Sequence, residues 1–531
     1  MSDSTISQAP QTFADLLAQS MGQGAEDPFL GWEEQWMSFG AFHQAAHRFA
    51  GWLRSEGLVP GETMALLMNN RPEFLIAVYG AWVAGVVVVP INTQLSAEEI
   101  SWVAQHAECR ILVTEGDLLP IVRQLDLPAT HQGTLIVPAE GTAEAWIAEL
   151  GPEIPAEAVE INPEALASIQ YTSGTTAFPK GVLHSHRSLL NAGLARAKHM
   201  GYGVGDTMLV VTPLFHLNAQ LVGIMALGKH FRLALRPKFS ASRFWSDVRR
   251  DHITSMHGLQ TIPRILMSRE PVGAERNHPL KTMVAVLGKD LHRAFEKRFG
   301  ISLVTVYGLT EDPMPVLAPR NGFSAQEDHR VRSSGRPVDP SRHKIRIVGV
   351  DGETLPPGEV GEIVKRSPAT MRGYFKDPEA TAKVLQDGWL KTGDLGYLDE
   401  DGYLFFVGRE KDAIRRSGEM IAAAQVEEAL ASHEAVAEVA VVGVLDTIRS
   451  EEIKACIVLR NGLSIDDAPP SAIFEHCTRH LAHFKVPRYL EYLGQLPRTA
   501  TLKVMKRQLS EVPGVLGGKL FDRQQDGWIQ S

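Results

Sequence analysis

The 531-residue sequence predicts an α/β protein. It should have a large N-terminal domain of mixed α/β sheets with a β-rich part, and a small α+β C-terminal domain. Three observations carry this. Helix-period and strand-period apolar patterns alternate through the first half, which implies a mostly parallel sheet. Around Gly335 the pattern changes to short strands broken by Asp-Gly pairs, which are hairpin signals. After Arg409 a helix–strand–strand–helix pattern of about one hundred residues follows, within the range of a separate small domain.

In the first half, Phe42, Ala45, Phe49, Trp52 and Leu53 recur at helical spacing, with Gly57 and Pro60 marking the end. Residues 63–67 form a short apolar strand. Residues 74–91 carry no charge and sit at the lower edge of a membrane-spanning length. Gly80, Gly85 and Pro90 interrupt that run, and Pro72 with Glu73 suits a helix start. A helix to Ala84, a Gly85 cap and a buried 86–89 strand are therefore expected. Ser96 and Glu99 make a capping box for the next helix, and residues 111–113 are another strand. In the β-rich part, strands 345–348 and 362–365 flank Asp351-Gly352, and strands 397–398 and 403–407 flank Asp401-Gly402. The last region reads as helix 425–432, strands 436–444 and 453–459, and helix 472–482.

The chain carries 53 Lys+Arg against 62 Asp+Glu, a net charge of −9, so nothing suggests a basic footprint for nucleic acid. Three cysteines, Cys109, Cys456 and Cys477, exclude a disulfide scaffold and any CxxC site, and suit a reducing compartment. The first basic residue is Arg48, whereas a secretory signal needs an early positive charge and a transit peptide needs arginines. A cytoplasmic protein that is not integral to a membrane is expected.

The strongest local signal is Tyr171-Thr-Ser-Gly-Thr-Thr-Ala-Phe-Pro-Lys-Gly181, which follows an apolar stretch at 165–169. Glycines let the backbone approach an anion, the hydroxyls of Thr172, Ser173, Thr175 and Thr176 donate to phosphate oxygens, and Lys180 neutralises charge. With Pro179 before the lysine and glycine after it, the pattern is not GxxxxGK[ST]. Tyr307-Gly-Leu-Thr-Glu311 follows apolar residues 301–306, placing it at a strand end, where α/β sheets bind ligands. Glu311 suits Mg²⁺, a hard cation that takes one or two carboxylates plus phosphate oxygens, although such a segment is more often a turn. Thr392-Gly-Asp394 suits a ribose-binding carboxylate or a simple turn. His216, after Pro213-Leu-Phe215, is either a pocket gate or structural, and Lys503 alone reads as a solvated charge. The sequence has no HExxH or GxSxG, and no GxGxxG after a strand, so zinc proteolysis, α/β-hydrolase chemistry and dinucleotide redox lose their usual support.

Taken together and in order, the segments 171–181, 307–311, Lys391-Thr-Gly-Asp394, Gly408-Arg-Glu-Lys-Asp412, Gly418-Glu419 and 497–503 resemble the adenylate-forming superfamily. That superfamily includes AMP-forming acyl-CoA synthetases, carrier-protein adenylation domains and beetle luciferases. The likeness runs from about residue 30 to 510 and is closest to the acyl-CoA synthetases of the carnitine/crotonobetaine type. It implies an AMP-binding N-terminal domain over residues 1–408 and a small mobile domain over 409–531, with a hinge near Lys411. It also implies an ATP-dependent acid–CoA ligase using ATP, Mg²⁺ and coenzyme A on a small carboxylic acid, and it admits a homodimer.

The roles implied are specific. Thr172, Ser173, Gly174, Thr175, Thr176 and Lys180 would hold the departing phosphates, Thr310 the α-phosphate and Glu311 the metal. Tyr307 would lie against adenine, and Asp394 and Arg409 would hold the ribose. Lys503 would bridge α-phosphate and acyl oxygens, His216 would stand at the acid pocket, and Gly418 would reach the pantetheine tunnel after rotation. Four departures from the family pattern are visible: Ala177, Ser417 and Leu502 stand where glycine is usual, and the glycine-rich segment before Tyr307 is reduced to Leu287-Gly-Lys-Asp290. Two further readings remain: a ligase that loads an acyl-carrier protein, and a degenerate member that mainly thioesterifies an acyl-adenylate. The acid pocket is expected from residues 216–220, 258–261 and 288–290. A charge of Lys289 or Asp290 either enters that pocket or is solvated at a helix start.

Overall fold

The computed structural model describes residues 9–138, 143–150, 160–172, 179–258, 261–271, 275–287, 289–416, 419–446, 449–498, 504–510 and 518–529. By contact, the chain divides into Met1–Ile345 with Lys365–Lys391, and Arg346–Val364 with Thr392–Ser531. The boundary expected at 408/409 lies inside the second unit. Arg409, the first residue past that point, pairs antiparallel with Asp394 and ends strand Leu404–Arg409.

The first unit is α/β, as the alternation of patterns implies. Its six-stranded sheet runs Gly133–Val137, Ile111–Glu115, Thr63–Leu67, Val87–Ile91, Leu166–Thr172, Lys180–Ser185, parallel except for the last pair. Its seven-stranded sheet runs Ser302–Val304, Thr282–Val284, Ser255–His257, Thr207–Val210, Arg232–Leu235, Pro28–Trp32, Gln35–Ser38, again parallel except at the final pair.

The uncharged run at 74–91 resolves as expected. Helix Pro72–Ala84 starts with proline in its first turn, is buried at all thirteen positions, and ends at Gly85 with φ 76°. A helix that is apolar all round belongs inside a core. Trp82 confirms its place there: its Nε1 donates to the carbonyl of Ala167 at 2.8 Å, and Phe13 stacks on it at 3.8 Å. Among the described residues, no helix is long and apolar enough to cross a membrane. The Ser96–Glu99 capping box forms, with Ser96 accepting from the Glu99 N–H and Glu99 accepting from the Ser96 N–H.

The second unit holds a seven-stranded sheet built around the long antiparallel pair Val436–Asp446 and Ser450–Leu459. Helices Ala423–Ala431 and Pro470–His480 pack on it through Val426, Leu430, Ile473 and Cys477. Strands Trp389–Leu398 and Leu404–Arg409 pair antiparallel across Asp401-Gly402, where Gly402 has φ 80°. That is the hairpin the sequence predicts, with the glycine at the position that needs positive φ.

Candidate functional site

The Ser/Thr/Gly-rich segment hangs from a β-hairpin. Strands Leu166–Thr172 and Lys180–Ser185 pair antiparallel, with Thr172 opposite Lys180 and Tyr171 opposite Gly181. The register therefore fixes both ends of the loop on neighbouring strands, whereas a P-loop runs from a strand into a helix. Gly181 is needed for packing: a Cβ there would meet Ile169 Cγ2 at 2.7 Å. The loop itself, with Ser173, Gly174, Thr175, Thr176 and Ala177, lies outside the described residues.

Segment 371–375 runs beside the second strand of this hairpin. The N–H of Arg372 donates to the Leu183 carbonyl, and that of Phe375 to the Gly181 carbonyl. This places the Tyr374 ring beneath Lys180, whose Nζ lies 5.0 Å from the ring centroid. The Tyr374 hydroxyl donates to Glu311 Oε1 at 3.1 Å, and the Met371 N–H donates to the Glu311 carbonyl at 2.8 Å. Burial, reinforced by the Glu311 carboxylate, raises the Tyr374 phenol above its ordinary range, so it remains a donor. Lys180 makes no ion pair, and Glu311 Oε2 takes no hydrogen bond, among the described residues.

Glu311 sits at a tight turn. Strands Val306–Leu309 and Asp312–Leu317 pair antiparallel, and Leu309 opposite Asp312 leaves Thr310-Glu311 as the connection. The segment 307–311 is thus a strand and turn of its own, beyond the end of the parallel strand Ser302–Val304. His184 holds this turn from below, its Nε2 lying 2.7 Å from the Thr310 carbonyl. Burial lowers the His184 imidazole to about 4, so at neutral pH it is uncharged and its proton must lie on Nε2, facing that carbonyl.

Beneath the turn lies a buried ion pair. Asp312 and Lys365 have fully buried side chains 3.3 Å apart. Ser367 and Thr370 hydroxyls and the Met314 N–H donate to Asp312, while Lys365 Nζ donates to the carbonyls of Asp312 and Met314. Each charge is therefore paired and hydrogen-bonded, the condition under which ions are tolerated inside a protein. The same ammonium lies 5.6 Å from the ring centroid of Tyr307, which is 6% exposed. His216 is the exposed N-cap of helix Leu217–Lys229. One turn on, buried Gln220 donates to the Leu214 carbonyl and accepts from Gln170.

In the second unit, Asp394 is buried and lies opposite Arg409, with Nε to Oδ1 at 3.3 Å. Thr392 Oγ1 accepts from the Asp394 N–H and donates to the Ile363 carbonyl. Gly393 takes φ 66° in the middle of the strand, so the Gly-Asp turn and the placed carboxylate are one feature. Lys411 lies in the short 3₁₀ turn Glu410–Asp412. Gly418 and Lys503 lie outside the described residues.

Residues 17–375 match the AMP-binding enzyme family, and residues 425–503 match the AMP-binding enzyme C-terminal domain. The chain belongs to the AMP-binding enzyme family. It is 34% identical to a crotonobetaine/carnitine–CoA ligase of Salmonella arizonae over 90% of this chain and 93% of the relative. It is also 34% identical to a sulfoacetate–CoA ligase of Cupriavidus necator over 94% and 97%. Among solved structures, it resembles the o-succinylbenzoate CoA synthetase of Bacillus subtilis in complex with its acyl-adenylate OSB-AMP. That match has a TM-score of 0.79 and 28% identity, covering 93% of this chain and 98% of the other. The same synthetase solved with ATP and magnesium ion matches with a TM-score of 0.80. This AMP-binding enzyme is an acid–CoA ligase of the AMP-forming class.

Within the enzyme's first unit, the structure joins Lys180 and Glu311 through Tyr374, and brings Thr310 and Tyr307 onto the hairpin that carries Glu311. In its second unit, Asp394 and Arg409 are joined directly. Four contributors escaped the sequence reading: Tyr374, His184, Asp312 and Lys365. Asp312, the one charge in the otherwise apolar strand 312–317, was the available signal for the buried pair, whereas Lys365 is one of three charges in strand 361–366 and is marked by nothing local. Nothing local marks Tyr374. Lys289 and Asp290 are not in a pocket: Lys289 pairs with Asp328 at 2.6 Å while 43% exposed, and Asp290 is exposed at the start of helix Lys289–Phe299. The helix-start reading of those two charges holds, because its first turn faces solvent.

Among the described residues, no cluster of three or more His, Cys, Asp or Glu side chains is placed to hold a metal. Glu311, with one oxygen held by Tyr374 and the other uncommitted, fits the lesser role of a single carboxylate on a cation otherwise carried by phosphate oxygens.

Proposed function

We propose that the ligase activates a short carboxylic acid with a polar or charged head group, using ATP and then coenzyme A. The relatives named for crotonobetaine, carnitine and sulfoacetate support that substrate class. A carboxylate is a poor acyl donor at neutral pH. In the first half-reaction its oxygen attacks the α-phosphorus of ATP, and the bond to pyrophosphate breaks. In the second, the thiol of coenzyme A gives up its proton, attacks the acyl carbon and displaces AMP.

The observation that carries the residue roles is the Lys180–Tyr374–Glu311 assembly, which sets an ammonium and a carboxylate oxygen, both unpaired among the described residues, on one ring at the mouth of the hydroxyl-rich loop. Lys180, with Thr172 and residues 173–176, takes the negative charge of the leaving phosphates, and the Thr310 hydroxyl takes the α-phosphate. Such catalysis is positioning plus charge stabilisation. A magnesium ion held at Glu311 would supply further neutralisation of the phosphates. Asp394, steadied by Arg409 and Thr392, accepts from ribose hydroxyls, and Tyr307 lies against adenine. His216 borders the acid pocket. Lys503 bridges α-phosphate and acyl oxygens during adenylation, and turning of the backbone near Lys411 exchanges it for Gly418 during thioester formation. Three free, buried cysteines support a reducing, cytoplasmic setting.

The test is acid-dependent ATP–pyrophosphate exchange, followed by AMP release with coenzyme A and with a holo-acyl-carrier protein in parallel. Exchange together with coenzyme A-dependent AMP release is expected. Absence of exchange with every acid, alongside thioesterification of a supplied acyl-adenylate, would point to the degenerate reading, and preference for the carrier protein to the other.

A further inference from the structure

Four Arg or Lys residues are buried among the described residues: Arg196, Arg236, Lys365 and Lys454. Three of them meet carboxylates. Arg236 lies against Asp247 and Asp251, Lys365 against Asp312, and Lys454 against Glu491. Arg196 meets none. It is 2% exposed, and among the described residues its one hydrogen bond runs from Nη1 to Oδ1 of Asn218, while its Nε and Nη2 are buried with no hydrogen-bond partner. Burial lowers the guanidinium to about 10, so it is still a cation at neutral pH. A buried cation with two unfilled donors is costly unless something supplies the missing charge.

The surroundings say where that charge would come from. Arg196 lies on helix His186–Met200, which packs tightly on helix Leu217–Lys229: a Cβ at Gly193 would meet Ile224 Cγ2 at 2.6 Å. One turn beyond Gly193, Arg196 reaches the first turn of the partner helix, and Asn218, its acceptor, is exposed there two residues after His216. His257, at the carboxyl end of strand Ser255–His257, is kept uncharged first by burial and then by the positive charge of Arg196. Both of its ring nitrogens are also buried without partners. Asn218 belongs to one segment expected to line the acid pocket, and His257 directly precedes another. His257 stands at the carboxyl end of a parallel strand, where α/β sheets take their ligands, and Asn218 in the first turn of the helix that follows strand Thr207–Val210.

We propose that Arg196 is a specificity-determining residue that receives a second anionic group of the acid, a carboxylate or sulfonate, with His257 as a further donor. The inference rests on the ligase reading and deepens it by giving the head group a sign. A dianionic short acid brings the charge that the buried guanidinium lacks, and two or three oxygens match Nε, Nη2 and one imidazole N–H. A trimethylammonium head would be repelled there.

The test compares kcat/KM for AMP formation with coenzyme A across succinate and sulfoacetate, the neutral-headed butyrate, and carnitine. The wild-type enzyme should prefer a dianionic acid by about 30-fold or more. Arg196→Gln should lose about 100-fold on that acid and leave butyrate within about threefold. Arg196→Lys should raise KM for the dianion with little change in kcat. Butyrate or carnitine as the best wild-type substrate overturns the inference and leaves the ligase reading standing. So does an equal loss on every acid in a variant with wild-type melting temperature. If the variants do not fold, the wild-type ranking alone decides between these outcomes. Failure of pyrophosphate exchange with every acid overturns the ligase reading, and the inference with it.

Discussion

The hydroxyl of Tyr374 donates to Oε1 of Glu311 at 3.1 Å, while the face of the same ring lies 5.0 Å from the ammonium of Lys180. One aromatic side chain thus fixes a carboxylate from a turn and a cation from a strand far apart in the chain. A polar tip and a π face do this together because tyrosine offers an edge donor and a cation-attracting face at once.

Tyr374→Phe keeps the face and removes the donor. Loss of a hydrogen bond to a charged group is worth about 1.5–3 kcal/mol. The variant should need more Mg²⁺ for half-maximal pyrophosphate exchange, with a melting temperature lowered by a few degrees at most. Glu311→Gln should nearly abolish exchange. An unaltered Mg²⁺ titration in both variants removes Glu311 from the metal.

Lys503→Ala should stop adenylation and leave thioesterification of a supplied acyl-adenylate largely intact. Removing one transition-state donor costs about 2.7–4 kcal/mol, or a factor of about 10²–10³ in rate. Lys411→Pro should do the reverse, because proline fixes φ near the bend. Equal slowing of both half-reactions by either variant refutes the two-conformation assignment.

Asp312→Ala strands the Lys365 ammonium in the interior. Breaking a buried pair from one side costs about 3–5 kcal/mol, so chemical denaturation should show a loss of that order. Asp312→Ala combined with Lys365→Met should regain part of it. No recovery in the double variant would mean that the hydroxyls of Ser367 and Thr370, not the ion pair, set the stability of this turn.

His184 should make the fold acid-sensitive. Its imidazole is lowered by burial to about 4, while in the unfolded chain it titrates near about 6.5. Between those values the unfolded chain binds a proton that the folded chain refuses. The stabilisation is therefore complete above pH 6.5 and lost as pH falls towards 4. A shift of that size corresponds to about 3 kcal/mol. His184→Gln retains a donor for the Thr310 carbonyl and should flatten the unfolding free energy between pH 4.5 and 7. An unchanged slope assigns the sensitivity to other lowered histidines, such as His186 and His343.

Much of the fold was legible because its signals are local. Pro72, Gly85 and an uncharged run between them specify a buried helix and its end, whatever surrounds it. Asp401-Gly402 specifies a hairpin because the glycine accepts positive φ. Asp394 and Arg409 were both visible as residue types, yet nothing in the spacing of fifteen positions says that strand register sets them opposite one another.

The sequence by itself determined the class of the protein, its element order and the chemistry of its loop ends, since periodicity, caps and turn residues act over a few positions. Tertiary structure alone decided which charges are buried and with whom. For Lys289 the sequence leaves a pocket charge and a solvated one both open, and the structure makes it the solvated partner of Asp328, whereas Arg196, which no motif marks, is buried with no carboxylate partner among the described residues. The cost or value of a charge depends on the dielectric and partners around it, and those are set by elements distant in the chain.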